Sequence, residues 1–250
     1  MSTLDERRQA AFAGVEEAAW ENGFARPRVF LQPIAAPSIL GLAGFAGATF
    51  MVASNLAGWW GTPTSGLTLA PFAAMFGGLA QFLAGMWAYR ARDAVATLAH
   101  GTWGAFWLAY GILNILIAAH ALTAPTPWYH NPALGFWFFA LAITTAIAML
   151  GAMTESLLLT GVLGTLAAGS GIVAGAYIYG SHGWAQVAGW VFVISAGLAW
   201  YAVMAMLLAA TTGRAIVPLF KYKRAANIPG GRLVQPIQLE WAEPGVKQGQ

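Results

Sequence analysis

Charge is what this sequence has least of. Between Val29 and Gly213 only four side chains are formally charged, Arg90, Arg92, Asp93 and Glu155, and all four fall between long apolar runs rather than inside them. Over the whole chain 8% of residues are charged, where a soluble globular domain carries about 25%. Cysteine is absent, which excludes disulfides and thiolate metal sites but leaves the compartment open. The formal charge of +3 comes from basic residues flanking apolar runs, not from a basic stripe, so it gives no sign of a nucleic-acid partner. The apolar runs hold no carboxylate pair, and no HExxH, GxSxG or P-loop pattern occurs, so neither an enzyme nor a bound cofactor or metal is expected. Met1 to Arg28 is polar and mixed in charge and has no apolar core of a signal peptide.

What is present is apolar surface: 58% of residues are hydrophobic, with thirty glycines and twelve tryptophans. Six runs reach the length of about 20 residues that a helix needs to cross a bilayer. They span Ile39–Trp60, Leu67–Tyr89, Val95–Ala119, Ala133–Met153, Ser156–Tyr179 and Trp184–Ala210. An ionised group at the bilayer centre costs roughly 2.5–3.5 kcal/mol on insertion scales, which accounts for the charge-free runs. The expected fold is an all-α integral membrane protein with six transmembrane helices. Arg7, Arg8, Arg26 and Arg28 precede the first helix, Arg90 and Arg92 follow the second, and Arg214, Lys221, Lys223 and Arg224 follow the sixth. The positive-inside rule therefore puts both termini in the cytoplasm, as an even helix count requires, in a multi-pass protein of the plasma membrane. Residues 1–35 are read as a cytoplasmic segment, with an amphipathic helix over Thr3–Asn22 lying on the interface or against the bundle. Residues 36–219 form the membrane domain, and 220–250 an extended Pro/Gly-rich tail.

Glycines recur at close spacing: Gly41, Gly44 and Gly47 in the first helix, Gly77, Gly78 and Gly85 in the second, and Gly161, Gly164, Gly171 and Gly175 in the fifth. Such stripes let helices approach closely, within a bundle or between protomers. Neutral polar groups are spread over several helices, at Asn55, Thr68, Gln81, Thr97, Thr102, Asn114, Thr144, Thr145 and Ser195. They can solvate a small anion or polar solute without a fixed charge; roughly half are expected to bond their own helix backbone instead. Phe45, Trp103, Phe106 and Trp107 can narrow a pore to a dry constriction. Three histidines, His120, His130 and His182, belong near the outer face, at a spacing that matches no ligand motif. His100 lies inside the third helix with Trp103 three residues on. Two readings of it stay open, a titrating group on a pathway or a neutral imidazole bonded to a helix carbonyl.

Three fragments give the sequence a family likeness. Ala36-Pro37-Ser38-Ile39-Leu40-Gly41-Leu42 followed by Gly44-Phe45, then Gly77-Gly78-Leu79-Ala80-Gln81-Phe82-Leu83-Ala84-Gly85, then Gly101-Thr102-Trp103-Gly104-Ala105-Phe106-Trp107, resemble motifs of the acetate/succinate transporter family (AceTr). The end of the sixth helix, Gly213-Arg214 with Pro218, is similar too. The resemblance implies a hexamer whose protomers each carry a pathway for acetate and related monocarboxylates, sometimes succinate. It also implies a constriction of Phe45, Trp103 and Leu166, with Trp103 where the family has Tyr. The chain departs from the pattern at Ala36 (Asn), Ile39 (Pro), His100 (an apolar residue) and Ala88 (a carboxylate).

The expected activity is therefore passage of a small carboxylate anion, as a channel or proton-linked carrier. Asn55, Gln81, Thr102, His100 and Asn114 are the pathway candidates. Alternatives are a channel for urea, ammonia or another neutral solute, and a non-transporting assembly subunit. Asn131-Pro132-Ala133-Leu134-Gly135-Phe136 echoes the opening of the first helix, as an inverted repeat would.

Overall fold

A computed structural model describes residues 34–62 and 64–222. Six helices in it are long and apolar enough to cross a membrane, and the chain is a multi-pass membrane protein. They are α1 (Pro37–Leu56), α2 (Ser65–Ala91), α3 (Ala94–Ala118), α4 (Pro132–Ala152), α5 (Leu157–Tyr179) and α6 (His182–Thr212). The expected amphipathic helix over Thr3–Asn22 and most of the 220–250 tail lie outside the described residues.

The helix ends follow from local chemistry. Pro37 and Pro132 open α1 and α4 at the first turn, where a missing N–H costs nothing. Asp93, Asn131, Ser156 and Ser181 cap α3 to α6, each side chain accepting from the backbone N–H three residues on. Gly180 and Gly213 end α5 and α6 with φ of +69° and +72°, in the left-handed region that glycine tolerates. The second helix is less regular than its apolar run suggests. Pro71 lies inside it, and Ala74–Ala80 winds as π-helix before the α-helix resumes at Gln81. Pro71 has no N–H to give to the preceding turn, and Gly77-Gly78 lower the resistance to rewinding.

The bundle is polar-poor on the outside and small-residue-rich on the inside. Phe72, Phe76, Trp87, Ile115, Phe136 and Leu150 are exposed, as a lipid-facing surface requires. Trp59, Trp60, Trp128 and Trp184 are exposed at the end opposite Arg90 and Arg92, the position of an interfacial aromatic belt. Inside, Ala185, Ala188, Ala196, Ala199, Ala202 and Ala205 of α6 are fully buried. A Cβ on Gly189 would run into the Ala57 backbone of α1. Gly85 and Gly104 meet the backbones of Gly101 and Phe82, so α2 and α3 touch main chain to main chain. Gly41, Gly44, Gly77 and Gly78 likewise pack within the bundle, whereas a Cβ on Gly47, Gly171 or Gly175 would meet nothing within 4 Å.

In chain order each helix packs on the next, and α6 closes back on α1. No Cα of α5 comes within 8 Å of α1 or α3. That gap between the odd-numbered helices is filled by side chains alone, and it positions the site.

Candidate functional site

The odd helices all begin at the end that carries Arg90 and Arg92, and their first turns meet around one cavity. Its volume is about 30 Å³, and its lining includes Ser38 and Leu42 of α1, Asp93 and His100 at the start of α3, and Glu155, Leu159 and Leu163 at the start of α5. Moving one turn inward along the same helices leads from Leu42 to Phe45, from His100 to Trp103, and from Leu163 to Leu166. Phe45, Trp103 and Leu166 are almost wholly buried in the core.

This inner layer is dry. The Phe45 and Trp103 rings meet edge to face at 6.3 Å, and Trp103 meets Phe106 at 5.3 Å. Phe106 continues the layer to Phe138 of α4 at 5.1 Å and to Trp107 at 5.2 Å. The Trp103 indole N–H donates to Thr145 Oγ1 at 3.0 Å, and Thr145 in turn donates to the Leu141 carbonyl at 2.7 Å. The bond ties the ring to α4 where α3 and α4 otherwise touch little. Against the family pattern Trp103 reads as loss of a hydroxyl; in the fold its indole N–H supplies a hydrogen bond of its own. A bond between residues 42 apart has no local sequence signal.

The cavity layer differs. Asp93, His100 and Glu155 are 6%, 4% and 7% exposed, so three titratable side chains are buried at one spot. Both carboxylates stand between apolar runs, outside the membrane-spanning helices, and two separate turns fold them into the lining of this cavity. Arg92 ends α2 at φ +57°, and the Asp93 N–H bonds the Ala88 carbonyl at 3.1 Å, so the turn folds Asp93 inward. Its Oδ1 accepts from the Ala96 N–H at 2.8 Å. Glu155 sits in the tight α4–α5 turn, and its carbonyl accepts from the Tyr222 N–H at 3.1 Å. Ser156 pairs with Lys221 as an isolated β-bridge, so residues 220–222 dock on this turn. Burial pushes the Asp93 carboxyl above its usual range. Burial, and then the neighbouring Asp93 charge, push Glu155 up to about 7.

The other candidates are scattered. Gln81 is buried beside α1 near Gly44, and its Oε1 has no partner. Thr49 Oγ1 and Trp107 Nε1 are buried and unpartnered too, one turn beyond Phe45 and Trp103. Thr102 lines a narrow crevice with Thr144 and Thr145 beside Trp103. Asn114 bonds the Tyr110 carbonyl at 2.9 Å, and Asn55 bonds the Trp60 carbonyl at 2.8 Å. Both amides serve local backbone near the far end. The His100 Nδ1 has no hydrogen-bond partner, which goes against the carbonyl-bonded reading for that nitrogen. His182 stacks near Trp128 and Tyr129, and a Cβ on Gly180 would touch the His130 ring. Asp93, His100 and Glu155 share the cavity lining, but among the described residues no group of three His, Asp or Glu side chains is placed to hold a metal ion.

This arrangement has known relatives. The profile of the GPR1/FUN34/yaaH family matches residues 12–222. The chain belongs to this family. The succinate-acetate/proton symporter SatP of Escherichia coli strain K12 is 26% identical over 186 residues, covering 74% of this chain and 95% of that protein. The ammonia transport outward protein 2 of Saccharomyces cerevisiae is 27% identical, over 68% of this chain and 61% of its own length. The solved structure of the bacterial acetate channel SatP matches with a TM-score of 0.68 at 24% identity, covering 75% of this chain and 99% of that one. The match establishes the six-helix fold.

Proposed function

We propose that the protein carries acetate and related small monocarboxylates across the cell membrane, through one pathway per protomer between α1, α3 and α5. It acts as a transporter rather than an enzyme. The observation that carries this reading is the pairing of layers: Leu42, His100 and Leu163 line a cavity, and Phe45, Trp103 and Leu166 close it one turn further in. Carboxylic acids of this type titrate near ~4, so the solute arrives as an anion at neutral pH. It must trade water for hydroxyls, amides and helix-end dipoles before the aromatic layer, and ring size then sets which solutes pass. The cavity end faces the cytoplasm, where Arg90, Arg92 and Arg214 belong, and protomers assemble as a hexamer like a ring of separate pores. Membership of a family that includes a protein named as a symporter of succinate and acetate supports the solute class.

The relative named for ammonia transport keeps one second reading alive, a pathway for a small neutral solute. Labelled acetate uptake into proteoliposomes separates the two, with ammonia flux measured alongside. Trp103→Ala removes the largest ring of the constriction and is expected to raise acetate flux severalfold or admit longer carboxylates. Acetate flux that matches protein-free liposomes would sink the carboxylate reading.

A further inference from the structure

The cavity is too small for the solute proposed to enter it. A volume of about 30 Å³ takes a water, which needs at least ~10–15 Å³, but not a carboxylate with its carbon skeleton. Ser38, Asp93, His100 and Glu155 around it are each less than a tenth exposed, so the mouth is shut in this conformation. Entry needs one wall to move.

The walls are not held alike. α1 and α3 are pinned to α2 by close backbone approach: a Cβ on Gly44 would run into the Phe76 carbonyl, and one on Gly85 into the Gly101 backbone. The α5 wall starts at the α4–α5 turn with Glu155, then Leu159 and Leu163, and no Cα of α5 lies within 8 Å of α1 or α3. What holds this turn comes from the far end of the chain. Beyond Gly213 the chain returns across the bundle, where the Tyr201 hydroxyl donates to the Pro218 carbonyl at 3.1 Å and Leu219 packs on the core. The Phe220 carbonyl then accepts from the Leu157 N–H at 3.0 Å, and the Tyr222 N–H donates to the Glu155 carbonyl at 3.1 Å, on either side of the Ser156–Lys221 bridge. The first N–H groups of a helix have no partner within it, so the Phe220 carbonyl completes the start of α5. The tie is weak enough to open. Phe220, Lys221 and Tyr222 have exposed side chains, so little apolar surface leaves water when they dock. Phe220 also stands at φ +51°, in the left-handed region that a bulky residue enters at a cost.

We propose that residues 218–222 are a latch on this mouth: docked on the α4–α5 turn they keep the cavity closed, and their release frees Glu155 and the first turn of α5 to admit a solute. The inference rests on the carboxylate reading above and adds a barrier ahead of the aromatic layer. The latch decides whether a solute enters, and the rings decide which solute passes.

The test edits backbone bonds and leaves buried packing alone. Proline fits the first helical position, and Ser156 before it is extended, at φ −153° and ψ 145°, as a residue preceding proline prefers. Leu157→Pro therefore removes the N–H that reaches Phe220 and keeps α5, while Tyr222→Pro removes the one that reaches Glu155. Each is expected to raise labelled-acetate uptake into proteoliposomes about 2- to 10-fold, the shift that one lost hydrogen bond gives a two-state equilibrium. The opposite change locks the latch. The chain has no cysteine, and Ser156 and Lys221 face each other across the bridge, a pairing whose Cα separation of about 4.5–5.5 Å lies in the disulfide range. With Ser156→Cys and Lys221→Cys together, oxidation is expected to bring uptake down to the protein-free leak and reduction to restore it, each state controlling for the folding of the other. A readout that needs no transport is the rate at which a small water-soluble thiol reagent modifies Ser38→Cys in purified protein, expected to rise by a similar factor when either proline is added. Crosslinked protein that takes up acetate as fast as the reduced protein overturns the latch and leaves the carboxylate reading in place. If wild type takes up no acetate above leak, the carboxylate reading fails; an unchanged Ser38→Cys rate then overturns the latch too, and a raised one upholds it.

Discussion

The aromatic layer at Phe45 and Trp103 and the cavity layer at His100 lie one turn apart on the same helices, yet they bury different kinds of polar group. In the aromatic layer the Trp103 indole N–H is buried and paired with Thr145 Oγ1 at 3.0 Å. In the cavity layer Glu155 and His100 leave oxygen and nitrogen atoms unpaired. A fold that can satisfy a buried donor across two helices does so where rigidity serves it. Trp107 Nε1 in the aromatic layer is also without a partner, so the contrast is one of kind: the open atoms of the cavity layer belong to titratable side chains.

Breaking the scaffold that holds both layers has the largest expected effect. Gly104 sits one residue beyond Trp103, and a Cβ there would lie 2.6 Å from the Phe82 backbone nitrogen. Main chain cannot swing aside as a side-chain tip can. Gly104→Leu is expected to cost about 3 kcal/mol or more, since overpacking here must part α2 from α3. Thermal unfolding in detergent and the yield of monodisperse protein measure it, and a variant as stable as wild type would show that the two helices are not locked at this point.

An intermediate effect sharpens the contrast between layers. Thr145→Val keeps shape and removes the acceptor for the Trp103 indole, leaving a buried donor unpaired. The expected loss is about 1–3 kcal/mol of stability. Because the ring is then held by packing alone, acetate flux is expected to rise modestly while the pH profile stays that of wild type. A shifted pH profile would mean that the two layers are coupled and not separate.

Much of this architecture was legible from composition. Six apolar runs gave six helices, with ends within four residues of those observed, because bilayer thickness imposes length and the cost of charge imposes boundaries. The Phe45 and Trp103 neighbours could be anticipated from motif likeness, and their rings do meet. Three things could not be read. The π segment at Ala74–Ala80 depends on how Pro71 is accommodated against α1, where Phe76 backbone abuts Gly44. The Trp103–Thr145 bond joins two helices by tertiary packing. Asp93 and Glu155 stand in the sequence only as charges between apolar runs, and it is the convergence of the odd helices' first turns that brings both to one cavity. For Asn55 and Asn114 the sequence showed an amide in an apolar run but not its partner, and in the fold each is bonded to a nearby carbonyl.

The smallest expected effect concerns two glycines on one helix. A Cβ on Gly44 would run into the Phe76 carbonyl oxygen, while one on Gly47 would meet nothing within 4 Å. The first glycine is therefore fixed by packing within the protomer and the second is not. Gly47→Ala is expected to leave the isolated protomer within about 1 kcal/mol of wild type, on the stabilising side, because alanine is the better helix former. Measured in detergent that keeps protomers apart, a larger loss would contradict the open surface at Gly47. Measured in mild detergent, the same substitution tests the proposed hexamer: if a second copy packs on the stripe, the added methyl lowers the assembled fraction while the protomer's own unfolding temperature holds.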